Sequence, residues 1–380
     1  MEFRFTEEEE MLRELVRKLA QEKIAPLSEK GEEEEDIAFE LKRVMSEAGL
    51  FKVLAPEEYG GTGIKAVSIC IVREELSKVS NHADDIFAMV GLGTIGISLW
   101  GSEEQKREYL PKVARSEILG SFALTEPNAG SDVASIQTSA KLEGESYILN
   151  GEKIFPTCAG IADVWLVFAK TDPSKGREGI SAFIVEPKRI PGIEIRKVPI
   201  MAGPPEFQIT FSNSPVPKDK LVGEEGDGWK ISLGTLDIMR VTVGAACLGI
   251  AQAAFEEALS YARKRIAFGQ PIINFQAIQF KLADMATEIE AARWLVYRAA
   301  YLRDKGEPRP IKYASMAKLF ASEVAWRVAD EAVQIHGGYG VCKGTKVERL
   351  LRAARLPRIY EGTSEIQRLT IAREIVRERK

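Results

Sequence analysis

Gln276-Ala-Ile-Gln-Phe-Lys-Leu-Ala-Asp-Met-Ala-Thr-Glu-Ile-Glu-Ala-Ala-Arg-Trp-Leu-Val296 carries the pattern on which the fold class turns. Its apolar residues Ile278, Leu282, Met285, Ile289, Ala292 and Val296 step by 4, 3, 4, 3 and 4 positions. That spacing draws a narrow stripe down one helix face and asks for near-parallel helical neighbours. Downstream, Lys305-Gly-Glu-Pro-Arg-Pro310 breaks the chain before a second periodic segment with Phe320, Val324, Val328 and Ile335. Residues 225–380 therefore read as a C-terminal four-helix bundle. Upstream, between 119 and 224, the texture changes. Segments 164–169, 180–185 and 207–211 are short, β-branched or aromatic, and separated by turn residues. The last alternates Phe207, Ile209 and Phe211 with Gln208 and Thr210, as a half-buried antiparallel strand does. This block is predicted to be an antiparallel β-barrel or sandwich domain. At the start, Met11, Leu12, Leu15, Leu19 and Ile24 return to helical spacing, with Pro26 as the expected stop. The reading is an α+β multidomain chain: helical 1–118, β 119–224, helical 225–380.

Composition narrows the function classes. Fifty-two Lys+Arg against 56 Asp+Glu leave a net charge of -4, which calls for no nucleic-acid partner. The acidic runs 7–10 and 32–36 read as solvated helix ends. Cys70, Cys158, Cys247 and Cys342 are far apart, and His82 and His336 are the only histidines, so neither a disulfide framework nor a metal site is expected. The N-terminal residues lack signal-peptide order. The apolar stretch 241–255 is interrupted by Thr242 and Gln252, short of the ~20 residues of a membrane span. A cytoplasmic protein without a membrane span is expected.

Five motifs invite chemistry. Gly91-Leu-Gly-Thr-Ile-Gly96 matches the dinucleotide fingerprint, but that motif needs a preceding strand in a βαβ unit and here lies in helical sequence, so small-residue helix packing is the better reading. Phe122-Ala-Leu-Thr-Glu-Pro-Asn-Ala-Gly-Ser-Asp132 runs from strand into a turn that presents amides and hydroxyls; an ordinary capped turn is the bland alternative. Arg265-Ile-Ala-Phe268 with Gly-Gln-Pro-Ile272 is either a helix connector or an anion-binding corner. Gln334-Ile-His-Gly-Gly-Tyr-Gly340 is a helix end. Ile359-Tyr-Glu-Gly-Thr-Ser-Glu-Ile-Gln367 places Glu361 before a helix capped by Thr363 or Ser364.

Taken in order within a helix-sheet-helix chain, the last four motifs resemble the acyl-CoA dehydrogenase family along essentially all 380 residues. The resemblance implies FAD held between the β domain and the C-terminal bundle, and oxidation of an acyl-CoA to its trans-2-enoyl-CoA, as in fatty acid β-oxidation. It implies Glu361 as the base that takes the α-proton while the β-hydride goes to flavin N5, with its pKa raised towards ~6–7 as water is expelled. The thioester carbonyl would be held by the Glu361 amide and a ribityl hydroxyl. By the same likeness Phe122, Leu124, Thr125, Gly130 and Ser131 lie against the flavin, with Phe155 and Thr157 on its other side. Arg265, Phe268, Gln276, Gln334, Gly337 and Gly338 would hold pyrophosphate and adenosine, partly across a subunit boundary, and Thr363 and Glu365 would add contacts at the last helix. Ser131, Asp237, Arg240, Tyr360 and Gly362 would line the acyl-CoA path. An electron-transferring flavoprotein is the implied acceptor and a homotetramer, a dimer of dimers, the implied assembly.

Three departures stand out. Phe155 occupies a position where many members have tryptophan. Met201-Ala-Gly-Pro-Pro205 replaces a common Arg-Gly-Ser pattern. Asp84 and Asp85 fall near a helix that often lines the acyl pocket; they read as an exposed acidic helix start, or as a sign of a polar or cyclic substrate with an aspartate sharing the proton work. Some branches carry the base near 237–240, where this chain has Met239, which cannot ionise. An oxidase or monooxygenase on the same fold, and a non-catalytic acyl-CoA-binding protein, are the competing functions.

Overall fold

Thr6 opens the first helix with a capping box, its hydroxyl accepting from the Glu9 amide while the Glu9 carboxylate accepts from the Thr6 amide. The computed structural model describes residues 4–28, 35–307 and 310–378. The acidic residues 32–34 and the Pro308-Arg309 part of the sequence break lie outside the described residues. Helices run α1 Glu7–Leu19, α2 Ala25–Ser28, α3 Glu35–Glu47, α4 Ala66–Ser77, α5 Asn81–Trp100, α6 Glu103–Ala114, α7 Gly228–Lys264, α8 Gln276–Asp304, α9 Pro310–His336, α10 Lys346–Arg355 and α11 Ser364–Glu378. Strands are β1 Gly120–Ala123, β2 Ser139–Glu143, β3 Ser146–Ile154, β4 Val164–Lys170, β5 Ile180–Val185, β6 Ile193–Val198, β7 Glu206–Pro217, β8 Leu221–Val222, β9 Ile266–Ala267 and β10 Gln270–Pro271. Pro26 does not stop the first helix: a π turn at Ala20–Ile24 precedes it, and the wider turn leaves room for the ring before α2 continues.

By compactness the chain divides into two units, each assembled from separate stretches of sequence. Unit one takes residues 1–30, 65–84 and 240–380; unit two takes 31–64 and 85–239. In unit one, Leu282, Met285, Ile289, Ala292 and Val296 of α8 are all buried, together with Ala314, Ala317, Ala321 and Ala325 of α9. Alanines on α9 and Gly244 on α7 let the helices approach closely; a Cβ at 244 would stand 2.8 Å from Val296 Cγ2.

Unit two is built on a sheet of order β6-β7-β3-β2-β4-β5-β8, with β1 also pairing β4. The sheet is mixed, where an antiparallel one was expected: β1 and β2 both run parallel to β4. On β7, Phe207, Ile209 and Phe211 are buried while Gln208 and Thr210 are half-buried, which is the alternation the sequence carries. Gly91, Gly93 and Gly96 lie inside α5, where added Cβ atoms would strike Met239, the backbone of 120–121 and Leu166. They are packing glycines, without the strand that a dinucleotide site needs. α5 and α7 are long and apolar enough to cross a membrane by length and composition, contrary to the expectation drawn from 241–255, because α7 continues past Thr242 and Gln252. Their apolar windows are 72% and 89% buried in the fold, as core helices are.

Candidate functional site

Two consecutive left-handed residues, Glu361 at φ 51° and Gly362 at φ 93°, turn the chain from the Leu356–Arg358 helical turn into α11. Glycine tolerates this backbone; glutamate does so at a cost of about 1–3 kcal/mol, which the surroundings must offset. Three side chains hold the turn's carbonyls through four hydrogen bonds. Arg240 Nε donates to Glu361 O at 3.1 Å and Gln367 Nε2 to the same atom at 3.2 Å. Lys318 Nζ donates to Gly362 O at 2.6 Å, and Gln367 Nε2 to it at 3.0 Å. Lys318 is wholly buried on α9 and Arg240 nearly so on α7.

With its backbone fixed, the Glu361 side chain is left half-buried, and its Oε2 is fully buried with no hydrogen-bond partner. Burial raises its pKa; the charges of Arg73, Arg240 and Lys318 pull it back and Asp84 pushes it up again, leaving it above the ordinary carboxylate value. Lys318 is lowered to about 8 by burial, which the charges of Cys247 and Glu361 only partly oppose.

Asp84 is not at an exposed helix start. It is 2% exposed and forms a two-pronged ion pair with Arg73, Nε to Oδ1 at 2.8 Å and Nη2 to Oδ2 at 2.7 Å, while Arg73 Nη1 donates to Thr242 Oγ1 at 3.0 Å. Burial alone would lower the guanidinium, but the charge and hydrogen bonds of Asp84 outweigh it and Arg73 is held firmly protonated. Asp85 belongs to unit two and is half-buried, its Oδ2 3.0 Å from where a Cβ on Gly203 would stand. Met239 is buried in unit two.

Unit one also holds a cavity of about 440 Å³ whose lining includes Tyr261, Arg265, His336, Gly337 and Gly338. Tyr261 and His336 stack at 4.2 Å. Cβ atoms on Gly337 or Gly338 would meet nothing within 4 Å. Gly337, at φ 57°, is called for by the left-handed backbone that ends α9, but Gly338 has no such need and leaves room for a group beside a guanidinium, as a phosphate needs. Of the other expected cofactor residues, Phe268 is 96% exposed at the β9–β10 hairpin tip, and Gln276 and Gln334 are exposed outside the cavity lining. Thr363 caps α11, its Oγ1 accepting from the Ile366 amide, and Glu365 is exposed in the first turn, its carboxylate stabilised by its own backbone amide and by Thr363. Tyr360 is half-buried beside Glu361.

In unit two, the turn after β1 is organised by a residue that sequence reasoning passed over. Glu126 accepts from the Gln137 amide at 2.5 Å, the Thr138 amide at 2.9 Å and the buried Lys153 Nζ at 2.7 Å, and Lys153 also donates to Leu124 O at 3.1 Å. Leu124 is 6% exposed, so its side chain is core. Phe122 packs on Phe168 at 4.9 Å, Thr125 is half-buried, and Gly130 and Ser131 are exposed on the turn. Phe155, at φ 63°, is 50% exposed, and Thr157 Oγ1 donates to Glu206 Oε1 at 2.8 Å. Asp237 is half-buried on α7. Lys318, Gln367, Arg73 and Glu206 carried no sequence signal beyond a charged or polar residue in an apolar setting, since each works through a partner distant in sequence.

Known proteins carry the same layout. Family models described as acyl-CoA dehydrogenase N-terminal, middle and C-terminal domains match residues 6–117, 121–213 and 226–376. The chain is 46% identical over 376 residues to an acyl-CoA dehydrogenase of Bacillus subtilis, covering 98% of each. It superposes with a TM-score of 0.94 at 42% identity, over 99% of this chain and 100% of the other, on a chain solved in a study of the electron-transferring flavoprotein of Acidaminococcus fermentans and flavin-based electron bifurcation. A Bacillus anthracis acyl-CoA dehydrogenase complexed with FAD matches with a TM-score of 0.90 at 36% identity, over 98% of this chain and 67% of that one. The open glycines and the Arg265 cavity suit that cofactor. The chain belongs to the acyl-CoA dehydrogenase family, FAD-dependent oxidoreductases acting on CH–CH groups.

Proposed function

We propose that this chain oxidises an acyl-CoA thioester to the trans-2-enoyl-CoA with Glu361 as the base, and that the electrons pass to an electron-transferring flavoprotein. One observation carries the reading: a carboxyl group with a buried, unpartnered oxygen and a raised pKa stands on a turn clamped by Arg240, Lys318 and Gln367. A base needs such a free oxygen, and the raised pKa matches it to proton capture near neutral pH. FAD, when bound, supplies the hydride acceptor. The protein's own part is to fix the Glu361 carboxylate, to receive the α-proton on it, and to offer the Glu361 amide to the thioester oxygen where negative charge develops.

Arg265, Gly337 and Gly338 would hold the cofactor's phosphates, with Thr125, Ser131, Phe155 and Thr157 near its ring; Asp237, Arg240 and Tyr360 would line the substrate path. The reading with Asp84 as the base loses support, because both of its oxygens are engaged by Arg73. A homotetramer is part of the proposal: the exposed Phe268, Phe280 and Trp294 of unit one are apolar surface suited to subunit contact. The visible spectrum before and after anaerobic addition of acyl-CoA thioesters tests the activity. Bleaching of flavin bands by one thioester supports it; intact bands with every thioester count against it, and rapid peroxide formation under air points to an oxidase.

A further inference from the structure

Glu206 opens β7 facing Val198 of β6, and nothing in the mechanism above uses it. Its Oε1 accepts from Thr157 Oγ1 at 2.8 Å, and its Oε2 is buried with no partner. The segment that carries Thr157 is not free to move away. Phe155 and Cys158 on either side are non-glycine residues in the left-handed region, at φ 63° and 61°, and the Phe155 amide donates to Phe207 O at 2.8 Å, tying the segment to the residue after Glu206. A hydroxyl has one proton and two lone pairs, so the state of the carboxyl decides what Thr157 has left to offer. An ionised Glu206 only accepts and takes the Thr157 proton for itself. A neutral Glu206 can donate, and frees that proton to point elsewhere.

We propose that Glu206 is a positioning residue for the cofactor: it sets which way the Thr157 hydroxyl points, and so whether that hydroxyl presents a proton or a lone pair to the flavin ring. The proposal rests on the reading that Thr157 lies against the flavin. The choice matters because the oxidised ring offers acceptor atoms where the reduced ring carries an N–H. Burial pushes the Glu206 pKa up to about 8, opposed by the Thr157 hydrogen bond, so both forms are within reach near neutral pH. The groups around it are Thr157 and Cys158 on the 155–158 segment, and Asp85 on α5 acts on the same Cys158; on β6, Lys197 precedes Val198, the register partner of Glu206. The Cys158 thiol is held well above its ordinary value by burial and by Glu206 and Asp85, and stays protonated through the same range.

The test compares wild type, Glu206→Gln and Thr157→Val, each purified with FAD, by the position of the visible flavin bands from about pH 6 to about pH 10, a range that spans the Glu206 titration. Glutamine keeps a donor towards Thr157 and cannot ionise, so it freezes the neutral arrangement. Wild type is expected to show a reversible band shift centred near pH 8, and both variants are expected to lack it while keeping the flavin. A Glu206→Gln protein that keeps the shift, or a wild type that has none, overturns the proposal. If Glu206→Gln does not fold, Thr157→Val alone decides, since a retained shift there equally removes the hydroxyl as its source. A wild type that binds no flavin sinks the underlying cofactor reading as well, and is recognised by its lack of colour.

Discussion

Lys318 Nζ donates to the carbonyl of Gly362 at 2.6 Å from a fully buried position on α9. The turn that aims Glu361 is thus held by an ammonium group that burial has brought to about pH 8. Lys318→Met fills a similar volume without the donor. Gln367 still satisfies the carbonyl, so no buried acceptor is orphaned, and the loss is one of aim. We expect kcat to fall by about 10- to 100-fold, the cost of a misplaced catalytic group, with little change in Tm at pH 7. The sign of the pH effect follows from the lowered pKa. Folded protein binds fewer protons at Lys318 than unfolded chain between about 8 and 10.5, so the stability of wild type rises relative to the variant across that window. Denaturant titrations at its two ends check this.

Glu361→Gln keeps the shape of the side chain and removes the base. FAD and acyl-CoA binding should survive, while turnover falls at least ~100-fold. Stopped-flow bleaching of the flavin by thioester gives the number, and near-normal bleaching would move the base to another residue.

Asp84→Asn leaves the Arg73 guanidinium buried without its counter-charge. Breaking such a pair costs about 3–5 kcal/mol, read as a lower unfolding midpoint. The double variant Arg73→Met with Asp84→Asn should recover part of that loss, because no uncompensated charge remains. Catalysis reports on the same pair. Asp84 raises the Glu361 pKa and Arg73 lowers it, so removing the aspartate charge moves Glu361 downwards. The acid limb of the kcat/KM profile, which needs Glu361 ionised, should shift to lower pH.

Gly362→Ala would put a Cβ at φ 93° and 2.7 Å from Gln367 Nε2. Backbone strain of about 1–2 kcal/mol and a displaced Gln367 are expected together. The check is a lower Tm accompanied by a fall in kcat with KM nearly unchanged.

Much of the scaffold could be read along the chain because it is written in local periods. The stripe 282–296 is buried on α8, the alternation at 207–211 is a strand, and the glycines at 91, 93 and 96 are packing positions in a helix. The parallel pairing of β1 with β4 was not legible, since 40 residues lie between Ala123 and Val164 and no local period records strand direction. Charged residues misled most. Asp84 looked like solvent-facing sequence because its partner Arg73 lies on α4, and Lys318 and Glu206 likewise owe their state to atoms brought near only by folding. Glu361 could be singled out by its motif, but not the clamp that holds it.

The left-handed backbone at Glu361 also limits how this position can change over generations. Single-nucleotide changes from a glutamate codon reach aspartate, glycine, glutamine, lysine, alanine and valine. Of these, aspartate and glycine tolerate φ 51° best, and β-branched valine least. Genetic drift at this site is therefore funnelled towards a shorter acid or no side chain at all, outcomes that change or abolish the chemistry while leaving the turn intact.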